Sequence, residues 1–220
     1  RVKSEKLQVV MFTSANPGAG KTFVSSNLAM SIAQTNKKVV LVDVDIRKGT
    51  LSGIFSNSSG RMGLTHYLSG RTDDLNDIIG TSEEYGKLDI IFSGPVPPNP
   101  AELLLSERFD HLIAELRKQY DYIIVDNVPA GMVADASIVN RVADLTIFVV
   151  RSGVMDRRQL PELEKMYREE QLRNMSVILN GVSTERRGYG YGYGYGYGYG
   201  YGYGYGYGCL LYTSPSPRDR

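Results

Sequence analysis

Ala15-Asn16-Pro17-Gly18-Ala19-Gly20-Lys21-Thr22 lies between an apolar run, residues 7–12, and a helical pattern, residues 22–34. The stretch fits G-x-x-x-x-G-K-[ST] at Gly20, Lys21 and Thr22, with Ala15 where the first glycine would stand. Gly18 and Gly20 let successive backbone N–H groups turn towards an anion. The N-terminus of the following helix adds its partial positive charge. A lysine at position 21 is placed to reach β- and γ-phosphate oxygens, and the Thr22 hydroxyl is placed to bind Mg²⁺. The loop is therefore expected to hold a nucleoside triphosphate, with Asn16, Pro17, Gly18, Ala19, Gly20, Lys21, Thr22 and Phe23 around it. The plainer alternative is a glycine-rich strand–helix turn with a solvated lysine.

Working outward, four more apolar runs read as buried parallel strands: 39–42, 88–92, 122–125 and 145–150. A sixth, 176–179, is expected at the sheet edge. Helical patterns lie between them. Residues 101–119 carry Leu104, Phe109, Leu112, Ile113 and Leu116 at three-to-four spacing, and Pro100 suits the helix start. Residues 160–172 are charged and amphipathic, and residues 50–86 read as short helices and loops. Strand–helix alternation predicts an α/β fold, a doubly wound and mostly parallel sheet flanked by helices. Ligands of such sheets bind beyond the carboxyl ends of the strands, so the chemistry is expected just after residues 12, 42 and 125.

Two of those strand ends are acidic. Val39-Val40-Leu41-Val42 runs into Asp43-Val44-Asp45, and residues i and i+2 of an extended chain face the same side. Asp43 and Asp45 are thus expected to point together into the crevice. One could bind a metal or its waters while the other accepts a proton from an attacking hydroxyl. The second end, Tyr122-Ile123-Ile124-Val125-Asp126, offers a further Mg²⁺ ligand. Each acidic end alone is weak, since carboxylates often cap strands. Loop, acidic pair and single Asp, each at a strand end, form a far more specific set.

The bulk composition narrows the class. A chain of 220 residues with 42% hydrophobic residues suits a soluble domain with an appendage. A formal net charge of +1 gives no electrostatic reason to expect nucleic acid. One cysteine, Cys209, excludes an internal disulfide framework and a cysteine metal cluster. No apolar run reaches the roughly 18 residues of a membrane span, and no signal peptide is recognisable. The chain opens at Arg1 and is expected to be a fragment.

These motifs resemble the catalytic domain of the bacterial tyrosine kinases (BY-kinases), which act in capsule and exopolysaccharide assembly. The resemblance covers about residues 6–208. Residues 15–22 look like the family's Walker A motif, 40–47 like its Walker A′ and 123–126 like its Walker B. Gly94-Pro95-Val96-Pro97-Pro98-Asn99-Pro100-Ala101-Glu102-Leu103-Leu104 is similar to a stretch associated with this family and not with P-loop proteins in general. By resemblance, ATP and Mg²⁺ are the cofactors. Lys21 would bind the phosphates, while Thr22, Asp45 and Asp126 would hold the metal. Asp43 would orient or deprotonate the incoming tyrosine hydroxyl, and Asn180 falls where related ATPases contact adenine.

The family also implies a homo-oligomer in the full-length protein. It further implies a transmembrane polysaccharide co-polymerase segment, a tyrosine phosphatase, and a cytoplasmic place at the inner face of the plasma membrane. Two departures stand out. Asp126-Asn127-Val128-Pro129 replaces the usual Asp-x-Pro-Pro, and the N-terminal Glu-x-x-Arg-x-x-Arg oligomerisation helix has no counterpart. The second leaves ring-like assembly and phosphorylation between subunits open.

The sequence thus divides into an expected kinase domain, 1–187, a Tyr-Gly repeat, 188–208, and an unassigned end, 209–220. Glycine makes the repeat costly to order and it lacks aliphatic side chains, so disorder is expected. It offers ten phosphoacceptors: Tyr189, Tyr191, Tyr193, Tyr195, Tyr197, Tyr199, Tyr201, Tyr203, Tyr205 and Tyr207. A low-complexity linker is the competing reading. Against the kinase stand a switch ATPase of the partition and division-site type and a non-catalytic adaptor. The switch ATPases carry a lysine early in the loop, in Lys-Gly-Gly-x-Gly-Lys-Thr, where this chain has Asn16 and then Pro17.

Overall fold

Successive side chains of a strand point to opposite faces, and here both faces are apolar. Val9 and Met11 enter one core cluster while Val10 and Phe12 enter the other. Val40 and Val42 likewise part from Val39 and Leu41. Such strands need cover on both sides, which a doubly wound sheet supplies. The computed structural model describes residues 7–55, 62–82, 87–130 and 135–182. All belong to the first of two units into which the chain divides, Arg1–Ser183.

In chain order the strands are β1 (Val9–Ser14), β2 (Val39–Asp43), β3 (Ile79–Ser82), β4 (Leu88–Ile91), β5 (Tyr122–Asp126), β6 (Leu145–Arg151) and β7 (Met175–Asn180). They form one sheet in the order β3-β4-β2-β5-β1-β6-β7. Every pairing is parallel except β3 with β4. The six expected strands are present, each within two residues of its expected ends, and 176–179 does lie at an edge as part of β7. β3 was not foreseen. Its residues, Ile79-Gly80-Thr81-Ser82, carry no apolar run because an antiparallel edge strand is only half covered.

Helix α1 (Lys21–Ala33) lays Ser25, Ser26, Ala29, Met30 and Ala33 on the sheet. All but Met30 are small, which lets the helix backbone come close. Then follow α2 (Leu64–Leu68), α3 (Pro100–Leu105), α4 (Glu107–Gln119), α5 (Asp135–Asn140) and α6 (Leu160–Arg168). The expected single helix over 101–119 is two helices. Ser106 is extended, at φ −66° and ψ 151°, and its hydroxyl donates to the Leu103 carbonyl. Serine competes for backbone groups in this way and favours a helix start over a helix interior. Downstream of the break, Phe109, Leu112, Ile113 and Leu116 are buried as their spacing implied. Helix α6 stops at Arg168, short of the expected 172, and Glu170 turns back at φ +50°. Among the described residues, no helix is long and apolar enough to cross a membrane.

Candidate active site

β2, β5 and β1 are neighbours, so their carboxyl ends lie side by side. Asp43 pairs in register with Asp126, and Phe12 pairs with Asp126 from the other side. The topology therefore gathers the two acidic ends and the glycine-rich loop at one edge of the sheet, where such folds bind ligands.

The loop is built around two glycines in the left-handed region, Gly18 at φ +75° and Gly20 at φ +91°. Gly20 is also the N-cap of α1, and no side chain caps that helix end. Its first N–H groups are left for an anion. A Cβ at Gly20 would stand 2.2 Å from the Asn180 amide nitrogen. That amide donates to the Ala19 carbonyl at 2.9 Å. Gly20→Ala should therefore combine backbone strain with the loss of a loop contact. Thermal denaturation is expected to show about 2 kcal/mol of destabilisation. In an Asn180→Ala background the same change should cost less; an equal cost in both would contradict the contact.

Lys21 opens α1 beneath the loop. Burial lowers its pKa, while the charges of Asp126 and Asp45 push it back up. Thr22 Oγ donates to Asp126 Oδ2 at 2.6 Å. The other oxygen, Asp126 Oδ1, is buried with no hydrogen-bond partner. A buried carboxylate oxygen beside a threonine hydroxyl and a phosphate loop is suited to a hard cation. No cluster of three or more His, Cys, Asp or Glu side chains fit for a metal occurs among the described residues. A Mg²⁺ ion here would complete its shell from phosphates and water, as it usually does. Burial raises the Asp126 pKa to about 6, although the Thr22 bond and the Lys21 charge oppose the shift.

Asp43 and Asp45 do not share a strand face. β2 ends at Asp43, and the next residues turn, with Lys48 N and Gly49 N both donating to the Asp45 carbonyl. Period-two reasoning stops where the strand does. Asp43 is fully buried, and its carboxylate accepts from Asp45 N at 3.1 Å and Leu51 N at 3.1 Å. It thus holds the turn that carries Asp45, which is partly exposed. Burial raises the Asp43 pKa to about 7, and the nearby charge of Asp126 adds to this against the Leu51 bond.

Asn180 comes to the loop as described, and Phe23 is exposed beside it. Asn16 donates to Gln159 Oε1 at 3.1 Å, Pro17 is exposed and Ala19 is buried. Val128, which stands where the family pattern has its first proline, is buried, and its N–H donates to Asn127 Oδ1 at 2.8 Å. The tail tyrosines Tyr189–207 and Cys209 lie outside the described residues. Two loop contacts were not foreseen, Gln159 on Asn16 and Arg151 on the Gly18 carbonyl. Only the general rule that strand ends bind could have drawn attention to Arg151, the last residue of β6.

Comparison with known proteins places this arrangement. Residues 7–169 match the AAA domain family. The tyrosine-protein kinase CpsD of Streptococcus pneumoniae is 37% identical over 190 residues, covering 86% of this chain and 83% of that protein. The solved kinase domain of the Escherichia coli tyrosine kinase ETK superposes with a TM-score of 0.76 at 38% identity, over 88% of this chain and 74% of that one. The septum site-determining protein MinD from Pyrococcus horikoshii, at 22% identity and a TM-score of 0.63 over 79% of this chain and 70% of that one, shares the fold. On the extent of these matches, the chain belongs to the bacterial tyrosine kinase family and is a P-loop catalytic domain of it.

Proposed function

We propose that this domain transfers the γ-phosphoryl group of ATP to tyrosine hydroxyls, with its own Tyr-Gly tail as the first acceptor. The observation that carries the reading is the apposition, at three adjacent strand ends, of an anion-binding loop and two carboxylates whose pKa values are raised towards neutrality. A general base works best with a pKa near the working pH. Hydrolysis alone asks for no acceptor, whereas this chain carries ten tyrosines from Tyr189 to Tyr207.

Lys21 and the loop N–H groups hold the β- and γ-phosphates. Thr22, Asp45 and Asp126 are the residues that would hold Mg²⁺, whose charge would offset that of the phosphates. A tyrosine oxygen forms the new bond to Pγ, the bond from Pγ to the ADP oxygen breaks, and the hydroxyl proton passes to Asp43. Asn16, Pro17, Gly18, Ala19, Gly20, Phe23 and Asn180 line the nucleotide. In the full-length protein the domain works as a homo-oligomer at the inner face of the plasma membrane. There it answers to a transmembrane polysaccharide co-polymerase segment and a tyrosine phosphatase, and its output is control of capsule or exopolysaccharide export. Each tail phosphate adds about −1.5 to −2 charge, so mutual repulsion releases the modified tail.

The pH profile tests the base. Asp43 must be ionised to accept a proton, so the rate of phosphotyrosine formation is expected to fall as pH drops through about 7. Asp43→Asn should abolish the rate while ATP still binds. A flat profile between pH 6 and 8, or an active Asp43→Asn, would remove Asp43 from the role.

A further inference from the structure

The phosphate loop is held from outside by the ends of β6 and β7. Arg151 and Asn180 are register partners on these strands. Arg151 Nη1 donates to the Gly18 carbonyl at 2.9 Å, and Asn180 Nδ2 donates to the Ala19 carbonyl at 2.9 Å. Two consecutive loop carbonyls are thus tied to one edge.

Peptide geometry gives this a consequence. In a trans peptide the C=O and the following N–H point in opposite directions. Fixing the Gly18 carbonyl towards Arg151 turns the Ala19 N–H the other way, and fixing the Ala19 carbonyl does the same for the Gly20 N–H. Glycines on both sides of Ala19, at positive φ, give these peptides freedom to rotate. Without the two ties, the N–H groups that cradle phosphate would have to be ordered by the ligand itself, at a cost in affinity.

Arg151 is exposed and takes no part in either core cluster. Its side chain lies along Gly181, where an added Cβ would stand 3.3 Å from Arg151 Cγ. We propose that Arg151 is a positioning residue for the nucleotide, one that presets the Gly18–Ala19 peptide so that its N–H faces the phosphates. The proposal rests on the nucleotide-site reading above.

The test uses the whole chain and its Arg151→Ala and Arg151→Lys variants. Fluorescent ADP titration gives the affinity, thermal denaturation the stability, and steady-state kinetics the KM for ATP. Arg151→Ala is expected to weaken ADP binding about tenfold and to raise the KM for ATP in step. Its melting temperature should stay at the wild-type value, since the side chain is exposed. Arg151→Lys, which keeps one charged donor, should recover part of the affinity. Unchanged affinity in Arg151→Ala, or a loss matched by a fall in melting temperature, would overturn the proposal and leave the nucleotide site standing. If the wild-type chain itself failed to bind ADP, both readings would fall together.

Discussion

Asp126→Asn should make this protein more stable and less active at pH 8. The Asp126 carboxyl has an ordinary pKa of 3.8 and a folded value of about 6, raised mainly by burial. The folded state therefore holds the proton more firmly than the unfolded chain. The stability this gives is full below about pH 4 and is lost as pH rises through about 6. Over that window the loss amounts to about 3 kcal/mol. An Asn side chain stays neutral and can still accept from the Thr22 hydroxyl, so above pH 6 the variant keeps what the wild type loses. For a domain of this size the melting temperature at pH 8 should rise by roughly 6–12 °C, and the gain should vanish near pH 4. Phosphotyrosine formation should fall at least about a hundredfold, because a neutral amide cannot take the metal-binding role proposed for this carboxylate. Thermal scans at pH 4 and 8, with a phosphotyrosine assay, check both halves. A variant less stable than wild type at pH 8 would contradict the account of Asp126.

Lys21→Met should have the opposite signature. It removes the cation that the proposed function sets against the phosphates, and the rate is expected to drop at least about a hundredfold. It also removes the charge that holds the Asp126 pKa down. Asp126 would then be still harder to ionise, and stability should go on falling to a higher pH than in wild type. The double variant with Asp126→Asn should regain that stability and remain inactive. A lysine that only decorated the surface would leave both the rate and the pH window of the stability loss unchanged.

What could be read from the sequence follows the periodicities. Residues 9–12, 39–42 and 122–125 are apolar on consecutive positions, which only a sheet covered on both faces demands, and that placed the loop, Asp43 and Asp126 at one edge. The loop was legible because Gly20, Lys21 and Thr22 have fixed tasks at fixed spacing. Less was legible where a local competitor outweighs the pattern. Ser106 breaks a helix whose apolar spacing runs through it. The turn after β2 ties the Asp43 carboxylate to Leu51 N and ends the strand before Asp45, so extended spacing was not what brings the Asp45 charge near Asp43. Arg151 and Gln159 were invisible for a different reason. Their partners, Gly18 and Asn16, lie more than a hundred residues away, and only strand order brings them together.

The central claim is that the phosphoryl group held at Lys21 goes to tyrosine. Mass spectrometry of the intact chain after incubation with ATP and Mg²⁺ tests it most directly. Phosphate on tyrosines between Tyr189 and Tyr207, absent in Lys21→Met, is the expected result. Conversion of ATP to ADP with no phosphotyrosine anywhere in the chain would contradict it.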